Sequence, residues 1–287
     1  MNIIFAYRTL CRLPISFFAA CSALTGYLLT PDRAISTMLL LTAGVFLLAS
    51  GASALNQYQE RRIDALMHRT QRRPLPLGTI APEIALAAAI GLMMCGIVLL
   101  SMIDPGTASF GAFAVLWYNG LYTLLKQKTA FAAVPGALVG AVPPVMGWTA
   151  GGGGMTDPKL FALTMLFFLW QIPHFWLLLL GDSDDHEAAG LPSMTRVLPR
   201  KQLKGIVVLW TAAAVVASLG LPFYGIAASP LVLGSLIVLA LWTVLSALKL
   251  LRTNAGAETA RSAFRSINIF LAVIMVLIAL DPFLARN

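Results

Sequence analysis

The stretch NQYQERRIDALMHRTQRRPLP, Asn56 to Pro76, places five arginines, two carboxylates and a histidine between two apolar runs. Its reading as a loop between two membrane-spanning helices decides the fold. Around it, 59% of the 287 residues are hydrophobic and only 11% are charged, against about a quarter charged in a soluble domain. The apolar excess extends over the whole length, and no polar stretch is long enough to fold by itself. The expectation is one integral membrane domain over residues 1–287.

A spanning helix needs about 20 mostly apolar residues. Nine runs qualify: 12–29, 35–55, 82–103, 107–125, 129–150, 160–180, 204–225, 229–251 and 266–284. Lys126-Gln127-Lys128 separates the fourth from the fifth, and Pro222, Gly225 and Pro230 supply turn chemistry between the seventh and eighth. The run from Phe18 past Cys21 to Leu29 is too continuous for a lipoprotein cleavage site. Cys11, Cys21 and Cys95 lie in apolar runs without CxxC spacing and read as small buried hydrophobes.

Seventeen of the 20 lysines and arginines fall on one set of loop ends; Arg33, Lys159 and Arg286 fall on the other. By the positive-inside rule the first set is cytoplasmic, and so is the N-terminus. The net charge of +8 then belongs to cytoplasmic loops rather than to a nucleic-acid partner.

Orientation leaves the acids unexplained, because carboxylates add little to topology. Six of the twelve sit in two loops on one face: Glu60 and Asp64 in the first, Asp182, Asp184, Asp185 and Glu187 in the second. If the first segment continues the second span as a helix, Asn56, Glu60 and Asp64 stand at i, i+4 and i+8. They then drift only about 40° and rise about 6 Å per step, so one face carries an amide oxygen and two carboxylates. Such oxygen donors suit Mg²⁺, which usually also contacts substrate phosphates. Arg61, Arg62, Arg69, Arg72 and Arg73 nearby would take the remaining charge of a diphosphate. The alternative is a solvated helix end with ordinary surface pairs, each worth under about 1 kcal/mol.

Two further stretches stand out. In WQIPHFW, 170–176, Pro173 removes a backbone donor inside the sixth span, and Trp170 and Trp176 read as interface anchors or as walls of an apolar cleft. In FAAVPGALVGAVPPVMGW, 131–148, Gly136, Gly140 and Gly147 allow close helix approach, while Pro143-Pro144 distorts the span. The glycines at 151–154 read as a flexible outer loop.

Taken together these residues resemble the intramembrane prenyltransferases of the UbiA superfamily, and within it the protohaem IX farnesyltransferase (haem O synthase) branch. The resemblance is carried by Asn56-x3-Glu60-x3-Asp64, Met67-x-Arg69-Thr70-x2-Arg73-Pro74-Leu75-Pro76, Tyr122-Thr123 with Lys126, Pro143-Pro144 with Gly147-Trp148, WQIPHFW, and Asp185-x3-Ala189-Gly190-x-Pro192. It covers about residues 50–200. Two positions depart from the pattern: Glu60 stands where an aspartate is usual, and Asp185 is followed by His186 rather than tyrosine.

The resemblance implies an all-α membrane protein with about nine transmembrane helices around a central cavity. It implies transfer of a farnesyl group from farnesyl diphosphate to a vinyl group of haem B. Asn56, Glu60 and Asp64 form one metal-binding face for Mg²⁺, and Asp182 and Asp185 form the second. Arg69, Arg73 and Lys126 hold the diphosphate. His174 is either a hydrogen-bonded packing residue or a contact to haem. Two other readings stay open: a prenyltransferase acting on a quinone or chlorophyll-type ring, and an ion-coupled transporter using Glu60, Asp64 and Asp185.

Overall fold

A computed structural model describes residues 2–32, 34–181, 190–192 and 194–284. Every regular element among them is helical. The first half comprises α1 (Ile3–Leu10), α2 (Leu13–Leu28), α3 (Ile35–Asp64), α4 (Pro82–Ser101) and α5 (Pro105–Val115). A π-helical stretch, Leu116–Tyr122, and a last turn, Thr123–Leu125, continue α5. The second half comprises α6 (Ala133–Ala150), α7 (Pro158–Gly181), α8 (Arg200–Gly220), α9 (Pro230–Leu248) and α10 (Ala257–Leu284).

Local chemistry sets the starts. The Asn2 side chain accepts from the Ile4 amide at α1. Asp104 accepts from the Gly106 and Thr107 amides at α5, which satisfies donors that have no partner inside the helix. Prolines occupy the first turns of α2, α4, α5 and α9, where a missing amide costs nothing. α6 and α7 stay helical through Pro143-Pro144 and Pro173.

Among the described residues, seven helices are long and apolar enough to cross a membrane, or eight if the bent pair α1–α2 forms one span. The expected nine is therefore not reached on this measure. The expected span 107–125 is divided, because α5 has only 11 residues before the backbone widens into the π-helical stretch. Some helices outrun their apolar runs: α3 ends later than 35–55, and α8 and α10 begin earlier than 204–225 and 266–284. α3 has 30 residues, about 45 Å at roughly 1.5 Å per residue, against a hydrocarbon core of about 30 Å. Its last turns therefore project beyond the apolar stretch and carry Asn56, Glu60 and Asp64.

The chain divides into two compact units, one formed mainly by Met1–Lys128 and Val142–Gly153, the other by Thr129–Ala141, Gly154–Ser183 and Pro192–Asn287. In the first, α3 packs along α4 and α2. Small residues set the separation: a methyl group at Gly96 would meet the Gly44 carbonyl oxygen at 2.8 Å, and one at Gly51 the Ala89 carbonyl oxygen at 2.7 Å. Gly147 stands against the Ala23 carbonyl of α2, and Gly26 against the Pro144 carbonyl of α6. Tyr27, Leu41, Leu48, Leu100 and Met146 fill the core between them. Ile90, Met94 and Val98 face outward from α4, as hydrocarbon-facing side chains do. Cys95 is exposed beside them rather than buried as expected; an outward position in a spanning helix is still apolar.

In the second unit, α7 packs against α8 and α10, and α9 against both of these. Leu163, Phe167, Val207, Leu236 and Phe270 are buried there. The Trp170 indole N–H donates to the Ile267 carbonyl at 2.6 Å. Asp281 near the end of α10 accepts from the Ala228 and Ser229 amides, holding the start of α9.

Candidate active site

The end of α3 presents Asn56, Glu60 and Asp64, and their burial is nearly complete: they are 0%, 5% and 3% exposed. The solvated-surface alternative is thereby removed. Each side chain of this face meets a cation. Arg12 Nη2 donates to Asn56 Oδ1 at 3.2 Å. Lys126 Nζ rests on Glu60 Oε1. Arg73 Nη1 donates to both oxygens of Asp64, at 2.8 and 2.6 Å.

Each cation comes from a different part of the first unit. Arg12 occupies the break between α1 and α2, with left-handed backbone at φ 45°. Arg73 is returned by the loop after α3, where Met67, Thr70, Pro74 and Leu75 are buried and Thr70 Oγ1 donates to the Asp64 carbonyl at 2.8 Å. The motif of Met67 to Pro76 thus folds the loop back upon its own helix end. Lys126 follows the π-helical stretch. π-Helical turns are rare and often sit at functional sites. Here the stretch stacks Tyr118 on Tyr122, ring centroids 5.9 Å apart. Lys126 Nζ lies 5.8 Å from the Tyr122 ring centre.

Hydrogen bonds tie the π-helical stretch to α3. Asn56 Nδ2 donates to Thr123 Oγ1 at 3.0 Å, and that hydroxyl donates to the Tyr118 carbonyl at 2.8 Å. Arg12 Nη1 donates to the Tyr118 hydroxyl at 3.4 Å. Asn119 Nδ2 donates to the Ala52 carbonyl, and Gln59 Nε2 to the Asn119 carbonyl. Buried polar groups so paired define one arrangement, because the alternative is an unpaired group at a cost of about 1–3 kcal/mol.

Three cations facing two carboxylates leave positive charge in excess. Its effect is visible on Arg73: burial first, then the Arg12 guanidinium, press its pKa below the ordinary value against the pull of Asp64. Burial likewise lowers Lys126, with Glu60 opposing. A site in which the cations press upon one another accepts an anion readily.

Of the expected site residues, Asn56, Glu60, Asp64, Arg73 and Lys126 come together. Arg69 is exposed in the same loop and acts electrostatically on Arg73. Asp182 and Asp185 lie outside the described residues. His174 belongs to the second unit, where its Nδ1 is 2.9 Å from Asn268 Oδ1. Its ring packs against Trp170 and Phe264, with centroids 4.7 and 4.9 Å away. Those bonds suit the packing reading. An amide oxygen only accepts, so Nδ1 carries the proton and Nε2 has the lone pair. Sequence reasoning used Arg12 only for orientation and passed over Tyr118. The Tyr118–Tyr122–Lys126 spacing, which repeats the i, i+4, i+8 of Asn56, Glu60 and Asp64, was the available signal.

As to a metal, the amide and two carboxylates are hard oxygen donors of the kind Mg²⁺ takes. Among the described residues no three His, Cys, Asp or Glu side chains lie close enough together to hold an ion, so further donors must come from elsewhere. The donor chemistry fits Mg²⁺; the described set alone does not complete its shell.

Helices long enough to span a membrane carry oxygen donors and cations gathered at one helix end. The chain belongs to the UbiA prenyltransferase family, which matches residues 17–274. It is 42% identical over 207 residues to the protoheme IX farnesyltransferase of Geobacter sulfurreducens, covering 72% of this chain and 77% of that one. It is 30% identical to that of Christiangramia forsetii over 99% of this chain and 95% of the other. Among solved structures, it shares its fold with a digeranylgeranylglyceryl phosphate synthase (TM-score 0.76, 19% identity, 98% and 99% of the two chains). A UbiA homologue from Archaeoglobus fulgidus bound to GPP and Mg²⁺ is also similar (TM-score 0.67, 15% identity, 95% and 99%).

Proposed function

We propose that this chain is a protohaem IX farnesyltransferase, moving a farnesyl group from farnesyl diphosphate to a vinyl group of haem B to form haem O. The observation that carries it is the buried oxygen face of Asn56, Glu60 and Asp64 met by Arg12, Lys126 and Arg73, in a chain whose similar relatives bear that name.

In this reading Asn56, Glu60 and Asp64, with Asp182 and Asp185, hold Mg²⁺. Bound Mg²⁺ supplies Lewis-acid stabilisation of the departing diphosphate. Glu60 and Asp64, now paired with Lys126 and Arg73, would be the carboxylates that hold the metal, and the Lys126 ammonium and the Arg73 guanidinium, with Arg69, would be the cations that meet phosphate oxygens. They stabilise charge that develops as the allylic C–O bond breaks, so they act on the transition state more than on the ground state. Apolar helix surface buries the farnesyl chain and keeps water from the allylic carbon. His174 is packed and hydrogen-bonded through Nδ1, and in this reading its Nε2 would be the atom to meet haem. The reading extends to one functional domain over residues 1–287, with the basic loops and N-terminus on the cytoplasmic face of the inner membrane.

The test is direct. Purified protein is incubated with haem B, farnesyl diphosphate and Mg²⁺, and the extracted pigments are identified by chromatography and mass. Haem O is the expected product. A prenylated quinone-type ring from a parallel incubation, with no haem O, would overturn the assignment of the acceptor and favour the second reading.

A further inference from the structure

Within the second unit, the end of α9 and the start of α10 enclose a cleft of about 500 Å³, inside the range of about 300–1,000 Å³ typical of ligand sites. Its two walls differ in kind. One is Trp242, Leu245 and Leu248, all exposed on a helix apolar enough to cross a membrane. The other is Lys249 and Arg252, carried on the turn that ends that helix. Neither cation has an ion pair or hydrogen bond among the described residues.

The polar floor does not neutralise them. Ser246 and Ser266 hydroxyls are 2.7 Å apart, and Ser266 donates onward to the Ser262 carbonyl at 3.1 Å, so these groups satisfy one another. Among the described residues no carboxylate lines the cleft. Two uncompensated positive charges therefore meet an apolar strip at the level where a spanning helix leaves hydrocarbon.

We infer that this cleft binds one anionic phospholipid, its phosphate on Lys249 and Arg252 and an acyl chain along Trp242, Leu245 and Leu248. A free phosphate would use the cations and leave the apolar wall without a partner. A zwitterionic lipid would bring an ammonium group that finds no carboxylate. Basic pockets between membrane helices hold acidic headgroups on the same physical ground, and a tryptophan at the interface level suits the glycerol region. None of the residues that line the cleft is one of those that hold farnesyl diphosphate in the proposed reaction, on which the inference does not depend.

The experiment uses the full chain in detergent, titrated with phosphatidylglycerol or phosphatidylcholine and read by native mass spectrometry. Phosphatidylglycerol is expected to remain bound at about tenfold lower concentration than phosphatidylcholine. The Lys249→Ala/Arg252→Ala double variant is expected to bring the two lipids level. Equal retention of both lipids by the unaltered protein would overturn the inference. So would an undiminished preference in the double variant, or displacement of the lipid by millimolar inorganic phosphate. A second measurement does not depend on that variant folding. Tryptophan fluorescence lost in Trp242→Phe should be the part quenched by brominated phosphatidylglycerol; quenching equal with brominated phosphatidylcholine counts against the site.

Discussion

One guanidinium nitrogen of Arg73 spans both oxygens of Asp64, nine residues earlier in the chain. The pair closes the loop after α3 on the helix it leaves, and Asp64 is buried beneath it. Removing the cation would strand a buried carboxylate, which costs about 3–5 kcal/mol where no water replaces it. Arg73→Ala should therefore lower the melting temperature measured in detergent. Added Mg²⁺ should recover more of the loss than it adds to the unaltered protein, because Asp64 is then free to take the metal. An equal Mg²⁺ response in both proteins would show that Asp64 does not bind it.

Asp64→Asn tests the same carboxylate without removing its shape. An amide oxygen still accepts from Arg73, so the fold should survive with a modest fall in melting temperature. Haem O formation should drop by at least about 100-fold, the scale seen when one group stabilising a transition state is lost. Undiminished turnover would sink the metal role of this face. An ion-coupled transporter would instead show no haem O with any variant.

Glutamate at position 60 reaches one methylene further than the aspartate usual in the resembling family, and the structure uses that reach to contact Lys126. Glu60→Gln should cost turnover about as much as Asp64→Asn, because the charge is lost. Glu60→Asp keeps the charge and should stay within about tenfold, measured as kcat/KM for farnesyl diphosphate. A gain of activity appearing only in Glu60→Asp would mark the native glutamate as a weakening substitution.

Much of this was legible in the residues. Charge gathered between apolar runs gave the loop, and the i, i+4, i+8 spacing gave the oxygen face, since both depend only on helix periodicity. The cations paired with that face were less accessible. Arg73 and Lys126 were marked through motifs, whereas Arg12 reaches Asn56 from 44 residues away. Its position depends on a left-handed break that no periodic pattern announces. The π-helical stretch was also hidden: it shifts hydrogen bonding by one residue without changing the apolar pattern, which is why the expected span 107–125 reads as continuous in sequence and divided in structure.

Close helix packing offers a stability test away from the chemistry. At Gly147 an added methyl would meet backbone, the Ala23 carbonyl and the Tyr27 amide, rather than a side chain able to turn aside. Gly147→Ala should destabilise by about 1–3 kcal/mol, the usual cost of overpacking. Gly91→Ala in α4 is the control: nothing lies near its added methyl, and alanine is favoured over glycine in a helix by about 1 kcal/mol. Thermal unfolding in detergent should therefore move the two variants in opposite directions.

Arg12 joins a backbone requirement to a side-chain role, and two substitutions separate them. Its left-handed conformation costs an L-residue about 1–2 kcal/mol, a strain that glycine does not carry. Its guanidinium contacts Asn56 and Tyr118, and both contacts vanish in Arg12→Ala and Arg12→Gly alike. Turnover should fall by a similar factor in the two, about 10–100-fold, because the lost cation is the same. Stability should differ, with Arg12→Gly melting above Arg12→Ala. If alanine instead matched glycine in melting temperature, the break between α1 and α2 would not be held in the left-handed region. If turnover survived in both, Arg12 would serve only to position the helix end.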